Sequence, residues 1–144
     1  MTEWTLDDLL PHRTPMRLLQ RIIQVSDKTA SAEVVISTAS PFYCVEQGVP
    51  SWIGVEYMGQ TAALIAGLQL QTGKCQPHLG LLLGTRSYSA HVAWFQVGQS
   101  LTVSCTEAAV VGDGLATFLC EIHCTASQDL LASAKLSVFR KALE

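Results

Sequence analysis

Between Glu46 and Lys74 the chain carries a single charged residue, Glu56. The segment around it, Ile53-Gly-Val-Glu-Tyr-Met-Gly-Gln-Thr-Ala-Ala-Leu-Ile-Ala-Gly-Leu-Gln-Leu70, reads as a helix that is apolar nearly all the way round. Such a helix is a core element, and the rest of the chain must cover it on every side. This requirement also isolates Glu56. A carboxylate buried without a partner is costly, and the usual responses are the protonated form or a hydrogen-bonded neighbour. Gln60 follows four residues later, one turn on and on the same face. The pair sets a proton-exchanging group beside a neutral amide that could orient a water or a substrate. A structural Glu paired with an Arg elsewhere in the fold is the alternative.

The remaining sequence supplies the cover as strands. Thr5 to Leu10 predicts one short helix, with Thr5 as N-cap, acids in the first turn and Pro11 as its stop. Two prolines then hold Leu10-Pro-His-Arg-Thr-Pro-Met16 extended. Leu18 to Val25 and Ala30 to Ser37 read as strands around a Ser26-Asp27-Lys28 break, followed by an irregular stretch over 38–51. After Gly73 only strands follow: Leu79 to Tyr88, interrupted at Gly84; His91 to Phe95; Leu101 to Val111; Leu115 to Thr125; and Ala132 to Phe139. Gly112-Asp-Gly114 is hairpin chemistry. Residues 1–144 therefore make one α+β domain, an antiparallel sheet wrapped around one long buried helix, which is the geometry of a hot-dog fold.

Composition narrows the partners. Apolar residues make up 49% of the chain and charged residues only 15%, which suggests that a partner subunit covers some apolar surface. The net charge is −3 and the nine basic residues are scattered, which excludes a nucleic-acid footprint and gives no sign of a membrane surface. The N-terminus is acidic where a secretory signal would be basic, and the apolar run over 57–70 is too short to span a bilayer comfortably, so the expected location is the cytoplasm. The five cysteines, Cys44, Cys75, Cys105, Cys120 and Cys124, form no CxxC pair. On a strand Cys120 and Cys124 share one face while His123 points to the other, so they cannot converge on a metal. Buried reduced thiols are the expectation, with no metal and no cofactor.

Two segments in order resemble a known family. Leu10-Pro-His-Arg-Thr-Pro-Met16 is similar to the N-terminal signature of the β-hydroxyacyl-acyl carrier protein dehydratases, and Glu56-Tyr-Met-Gly-Gln60 to their helical Glu-x-x-x-Gln signature. Leu83-Gly84 and Phe95-Gln-Val-Gly-Gln99 match later parts of the pattern, and the helical wording is closest to the aryl polyene branch. The resemblance implies a hot-dog enzyme that dehydrates β-hydroxyacyl thioesters on an acyl carrier protein, as a homodimer or as a heterodimer with a related hot-dog subunit. It also exposes a departure. The family's catalytic His lies in a His-Phe-Pro-Gly motif before the helix, and Phe42-Tyr-Cys-Val-Glu-Gln-Gly48 holds no His. His12 is the candidate to supply the imidazole, with His91 second.

Dehydration needs a base for the α-proton and an acid for the departing hydroxyl. An imidazole suits the first role, and a carboxylic acid in an apolar surround suits the second. His12, Glu56 and Gln60 are thus the candidate site residues. Backbone N–H groups near Ser51 to Gly54 would polarise the thioester carbonyl. Arg13, Arg17 and Arg86 are candidates for a basic rim facing a phosphopantetheine phosphate. Two other readings remain open: a hot-dog acyl thioesterase, in which the helical carboxylate activates water, and a non-catalytic hot-dog subunit that has lost its base.

Overall fold

The computed structural model describes residues 4–10, 16–73, 78–112 and 114–142. The N-terminal helix α1 (Leu6–Leu9) starts on a reciprocal cap: Thr5 Oγ1 accepts from the Asp8 N–H, and Asp8 Oδ2 accepts from the Thr5 N–H at 3.0 Å. Strands β1 (Arg21–Val25) and β2 (Thr29–Val35) form an antiparallel hairpin whose turn is held by the Ser26 and Thr29 hydroxyls. The irregular stretch ends in a two-residue strand, β3 (Val49–Pro50), and one 3₁₀ turn (Ser51–Ile53) leads into the central helix α2 (Gly54–Gln71).

Five strands follow: β4 (His78–Ala90), β5 (Trp94–Phe95), β6 (Ser100–Val111), β7 (Leu115–Cys124) and β8 (Leu130–Ala142). Six strands form one sheet in the order β1-β2-β6-β7-β8-β4, every pairing antiparallel, and β3 and β5 pair separately. Period-2 alternation decides which face meets the helix. Leu101, Val103 and Cys105 on β6, and Phe118, Cys120 and Ile122 on β7, are buried beneath α2. The chain is a hot-dog fold, with the sheet curled around one long helix. On strand β4 the pairing with β8 shifts register between Leu82 and Gly84, where the sequence predicts an interruption, and again between Thr85 and Ser87.

The helix is not covered on every side, which corrects the reading from its composition. Tyr57, Met58, Thr61, Leu64, Ile65 and Leu68 are buried, but Trp52, Glu56 and Leu70 lie on a flank open to solvent in the single chain, with Gly59, Ala63 and Ala66 half-buried between them. Steps of three and four residues place these six positions on one helical stripe. The small helix α1 covers another part. It crosses α2 at Gly67, where any Cβ would run into the Leu9 backbone, so glycine is required for this approach. Gln71 Nε2 then donates to the Asp8 carbonyl at 3.0 Å.

The thiols divide. Cys105 and Cys120 are buried and face each other across β6 and β7, whereas Cys44 is exposed and Cys124 partly so. Burial raises the Cys105 thiol well above its ordinary range, and the Cys120 thiol beside it adds to the shift. Among the described residues no group of His, Cys, Asp or Glu is placed to hold a metal ion, and no helix is long and apolar enough to cross a membrane.

Candidate active site at the start of the central helix

Pro50 has no N–H, and its restricted φ delivers the chain into the 3₁₀ turn. The turn is held from two sides: the Ser51 N–H donates to the Ala93 carbonyl at 3.0 Å, and the Tyr88 phenol on β4 donates to the Ser51 carbonyl. The Tyr88 oxygen occupies the place that a side chain at 54 would need, with Ile122 close by, so Gly54 admits the cross-brace. The Gly54 N–H donates back to the Ser51 carbonyl. The expectation of free N–H donors from Ser51 to Gly54 therefore fails at both ends of that run, where a carbonyl already takes the proton.

Glu56 sits in the first turn of α2, where the helix dipole favours a carboxylate. Its side chain is exposed in the single chain, not buried as the uncharged sequence around it predicts. Trp52 stands one turn before it, 65% exposed, and its ring lies 6.4 Å from that of Phe42, also exposed. Phe42 adopts φ +68, a left-handed conformation unusual for a bulky residue. Val45 is exposed as well, so the stretch that lacks the family His instead carries apolar side chains to the surface beside the helix start.

Gln60 is 3% exposed, and both ends of its amide are engaged. Oε1 accepts from the Leu18 N–H at 2.8 Å, and Nε2 donates to the Met16 carbonyl at 2.7 Å. The side chain thus substitutes for a strand partner and holds Met16–Leu18 against α2, one turn from Glu56. The sequence suggests an amide that orients water or substrate; the structure places it as a clamp on the backbone. Between the two clamped groups Arg17 reaches out to Asp7, Nη2 to Oδ1 2.6 Å. Arg17 and Arg21 line an open groove of about 600 Å³ with Trp4, Asp7 and Gln20, but Arg17 is paired with Asp7 and Arg21 with Glu33. His12 and Arg13 lie outside the described residues, as does the Arg86 side chain. His91 is exposed just after β4, and its N–H donates to the Leu131 carbonyl at 2.8 Å.

Two phenols complete the neighbourhood, and neither stands out in the sequence from ordinary core fillers. Tyr57 packs on Phe95, with ring centroids 5.9 Å apart. Burial pushes its ionisation upward, and the nearby Tyr88 phenol adds to the shift. Burial also pushes Tyr88 up, to about 12. Both are neutral O–H donors at any ordinary pH.

The fold defines a class, the hot-dog proteins. The family model described as ApeP dehydratase matches residues 4–144, and the chain belongs to this ApeP-like family. Dehydration is the chemistry of that family. Among solved structures the chain is similar to the dehydratase heterocomplex ApeI:P from Xenorhabdus doucetiae, at 28% identity and TM-score 0.85 over 96% of this chain and 92% of that one. More distant likenesses show the fold alone. One is a hypothetical thioesterase with coenzyme A from Streptococcus pneumoniae, at 12% identity and TM-score 0.65 over 85% and 86% of the two chains. Another is the PaaI protein from E. coli, at 14% identity and TM-score 0.62 over 83% and 81%. No curated protein matches the chain.

Proposed function

We propose that this protein dehydrates β-hydroxyacyl thioesters carried on an acyl carrier protein, in aryl polyene synthesis, as one subunit of a hot-dog pair. The observation that carries this reading is the Gln60 clamp. It joins Met16, the last residue of the Leu10–Met16 signature, and Leu18 to the helix one turn from Glu56, so the end of one signature segment meets the other. In the reaction, an imidazole removes the α-proton, the Cβ–O bond breaks, and Glu56 gives its proton to the departing hydroxyl, which leaves as water. His12, a few residues before the clamp, is the candidate base, and Gln60 is a positioning residue that holds its segment. The exposed flank at Trp52, Glu56 and Leu70 suits cover by a second hot-dog subunit, identical or related. That cover would exclude water from Glu56 and enclose the acyl chain. The ApeI:P heterocomplex supports such pairing for a relative.

The test is to incubate the protein with a β-hydroxyacyl carrier protein and weigh the intact carrier. Loss of one water with the acyl group retained, and addition of water from the enoyl side, is the expected result. Recovery of the bare thiol carrier would replace dehydration by hydrolysis, and an unchanged mass would make this chain a non-catalytic subunit. His12→Ala should then lose orders of magnitude in rate while His91→Ala is mild. The reverse would move the base to His91.

A further inference from the structure

The helix start has fewer free donors than its sequence predicts. Of the amides there, Ser51's goes to Ala93 and Gly54's to Ser51, and the Tyr88 phenol is spent on the Ser51 carbonyl. Yet removing an α-proton from a thioester drives negative charge onto the carbonyl oxygen, and a site for that chemistry needs a donor aimed at it. One donor nearby is unspent. Tyr57 is 2% exposed, and among the described residues its hydroxyl meets no acceptor; only its backbone carbonyl is used, by the Thr61 hydroxyl at 2.8 Å. A buried phenol without a partner is uncommon and calls for an explanation, because desolvating a hydroxyl without a new hydrogen bond costs free energy.

Placement supports a ligand as that explanation. Tyr57 follows Glu56 directly, and its ring is braced by Phe95, so the phenol has a defined direction. Phe95 in turn reaches to 3.3 Å from the place that a Cβ at Gly54 would take, beside the Tyr88 hydroxyl, which sets the Tyr57 ring next to the start of α2 where β4 braces it. Strand β4 is the end strand of the sheet among the described residues, the edge at which a second subunit would close the site.

We infer that the Tyr57 hydroxyl donates a hydrogen bond to the carbonyl oxygen of the bound acyl thioester, a role that the Ser51 and Gly54 amides, already engaged, do not fill. When the base takes the α-proton, the electron pair of the C–H bond moves into the enolate and onto that oxygen, and the phenol stabilises the charge without giving up its own proton. The burial that raises the phenol's ionisation keeps it a donor throughout. This inference rests on the dehydratase reading for its substrate class.

Difference infrared spectroscopy tests it on the full chain in whatever assembly it forms, with butyryl-pantetheine thioester carrying ¹³C at the carbonyl as the probe. The probe has no β-hydroxyl, so its band reports binding without turnover. The expected result is a carbonyl band at lower frequency when bound to the wild type, returning toward the free value in Tyr57→Phe. In parallel, kcat for dehydration should fall about 10²-fold in Tyr57→Phe with KM little changed. The melting temperature should hold or rise, since the variant removes only an unpaired buried oxygen. Tyr88→Phe should lower the melting temperature and leave the band in place. An unchanged band in Tyr57→Phe with the probe bound, or a band moved by Tyr88→Phe alone, overturns the inference while dehydration stands. Absence of probe binding, or hydrolysis of the probe by the wild type, overturns the dehydratase reading and the inference with it.

Discussion

The two flanks of α2 differ in what they ask of their side chains. On the buried flank, Met58, Leu64 and Ile65 are fully buried in a helix that packs on strands β2, β6 and β7, and a change of one methyl group alters such packing. On the open flank, Trp52, Glu56 and Leu70 meet solvent in the single chain, and small residues lie between them. The first flank holds the fold together. The second has no folding task in the single chain and is free to carry a reactive group. The main packing residues and Glu56 are thus separated by roughly half a turn of one helix, and on the proposed chemistry substitutions at the two should have opposite signatures.

The largest effect should come from the open flank. Glu56→Gln is expected to lower turnover by about 10²- to 10⁴-fold with the melting temperature unchanged, measured by carrier-protein dehydration and thermal unfolding. A destabilised but fully active variant would make Glu56 a structural residue and erase the contrast. On the buried flank Leu64→Ala should cost about 2–5 kcal/mol in chemical denaturation, because the cavity beneath the helix can collapse only in part. Gln60→Leu lies between these extremes. It leaves the Leu18 N–H and the Met16 carbonyl without their partner, at about 1–3 kcal/mol for each group left buried, and should make the chain before Leu18 more sensitive to limited proteolysis. If proteolysis is unchanged, the clamp is not what holds that segment. Trp52→Ser should change the stability of the isolated chain by less than about 0.5 kcal/mol yet weaken any assembly that covers the flank, as read by sedimentation equilibrium.

The smallest effect lies away from the helix, on β2. The Ser100 hydroxyl, above all, holds the Glu33 carboxyl below its ordinary range; burial opposes it, and Arg21 adds a further lowering. A carboxyl held low in the folded state adds stability above its unfolded value, and that stability is lost as the pH falls through the folded value. Glu33→Gln should therefore lower stability modestly at neutral pH, where the ionised carboxyl contributes, and flatten the acid limb of the stability profile. An acid limb of unchanged slope would remove Glu33 from the account.

Much of the architecture was legible in the sequence because it rests on local rules. The Thr5 cap, the Ser26–Lys28 turn, the Gly84 irregularity and the Gly112–Gly114 hairpin each follow from the chemistry of a few neighbouring residues. The site was legible only as a list of residues. Glu56 was marked by its isolation, but the same isolation predicts burial, and sequence has no means of saying which flank a sheet leaves open. Gln60 was marked by its spacing from Glu56, whereas its partners, Met16 and Leu18, lie more than forty residues away. Tyr88 was not marked at all, and Tyr57 was legible only as a member of the Glu56–Gln60 signature, indistinguishable from a core filler. A buried phenol with a partner and one without are the same letter.

What the sequence determines by itself is the hydrophobic period of each element and the punctuation between them: one continuous apolar helix, strands after it, and two signature segments in order. These depend on side-chain spacing and on the backbone limits of proline and glycine, which act within a few residues. What only the tertiary structure decides is the accounting of donors and acceptors. The Ser51 amide is spent on Ala93, the Tyr88 phenol on Ser51 and the Gln60 amide on Met16 and Leu18, while the Tyr57 phenol is left over. Hydrogen bonds form within about 3 Å whatever the separation along the chain, so the balance is set by which segments the folded sheet brings together.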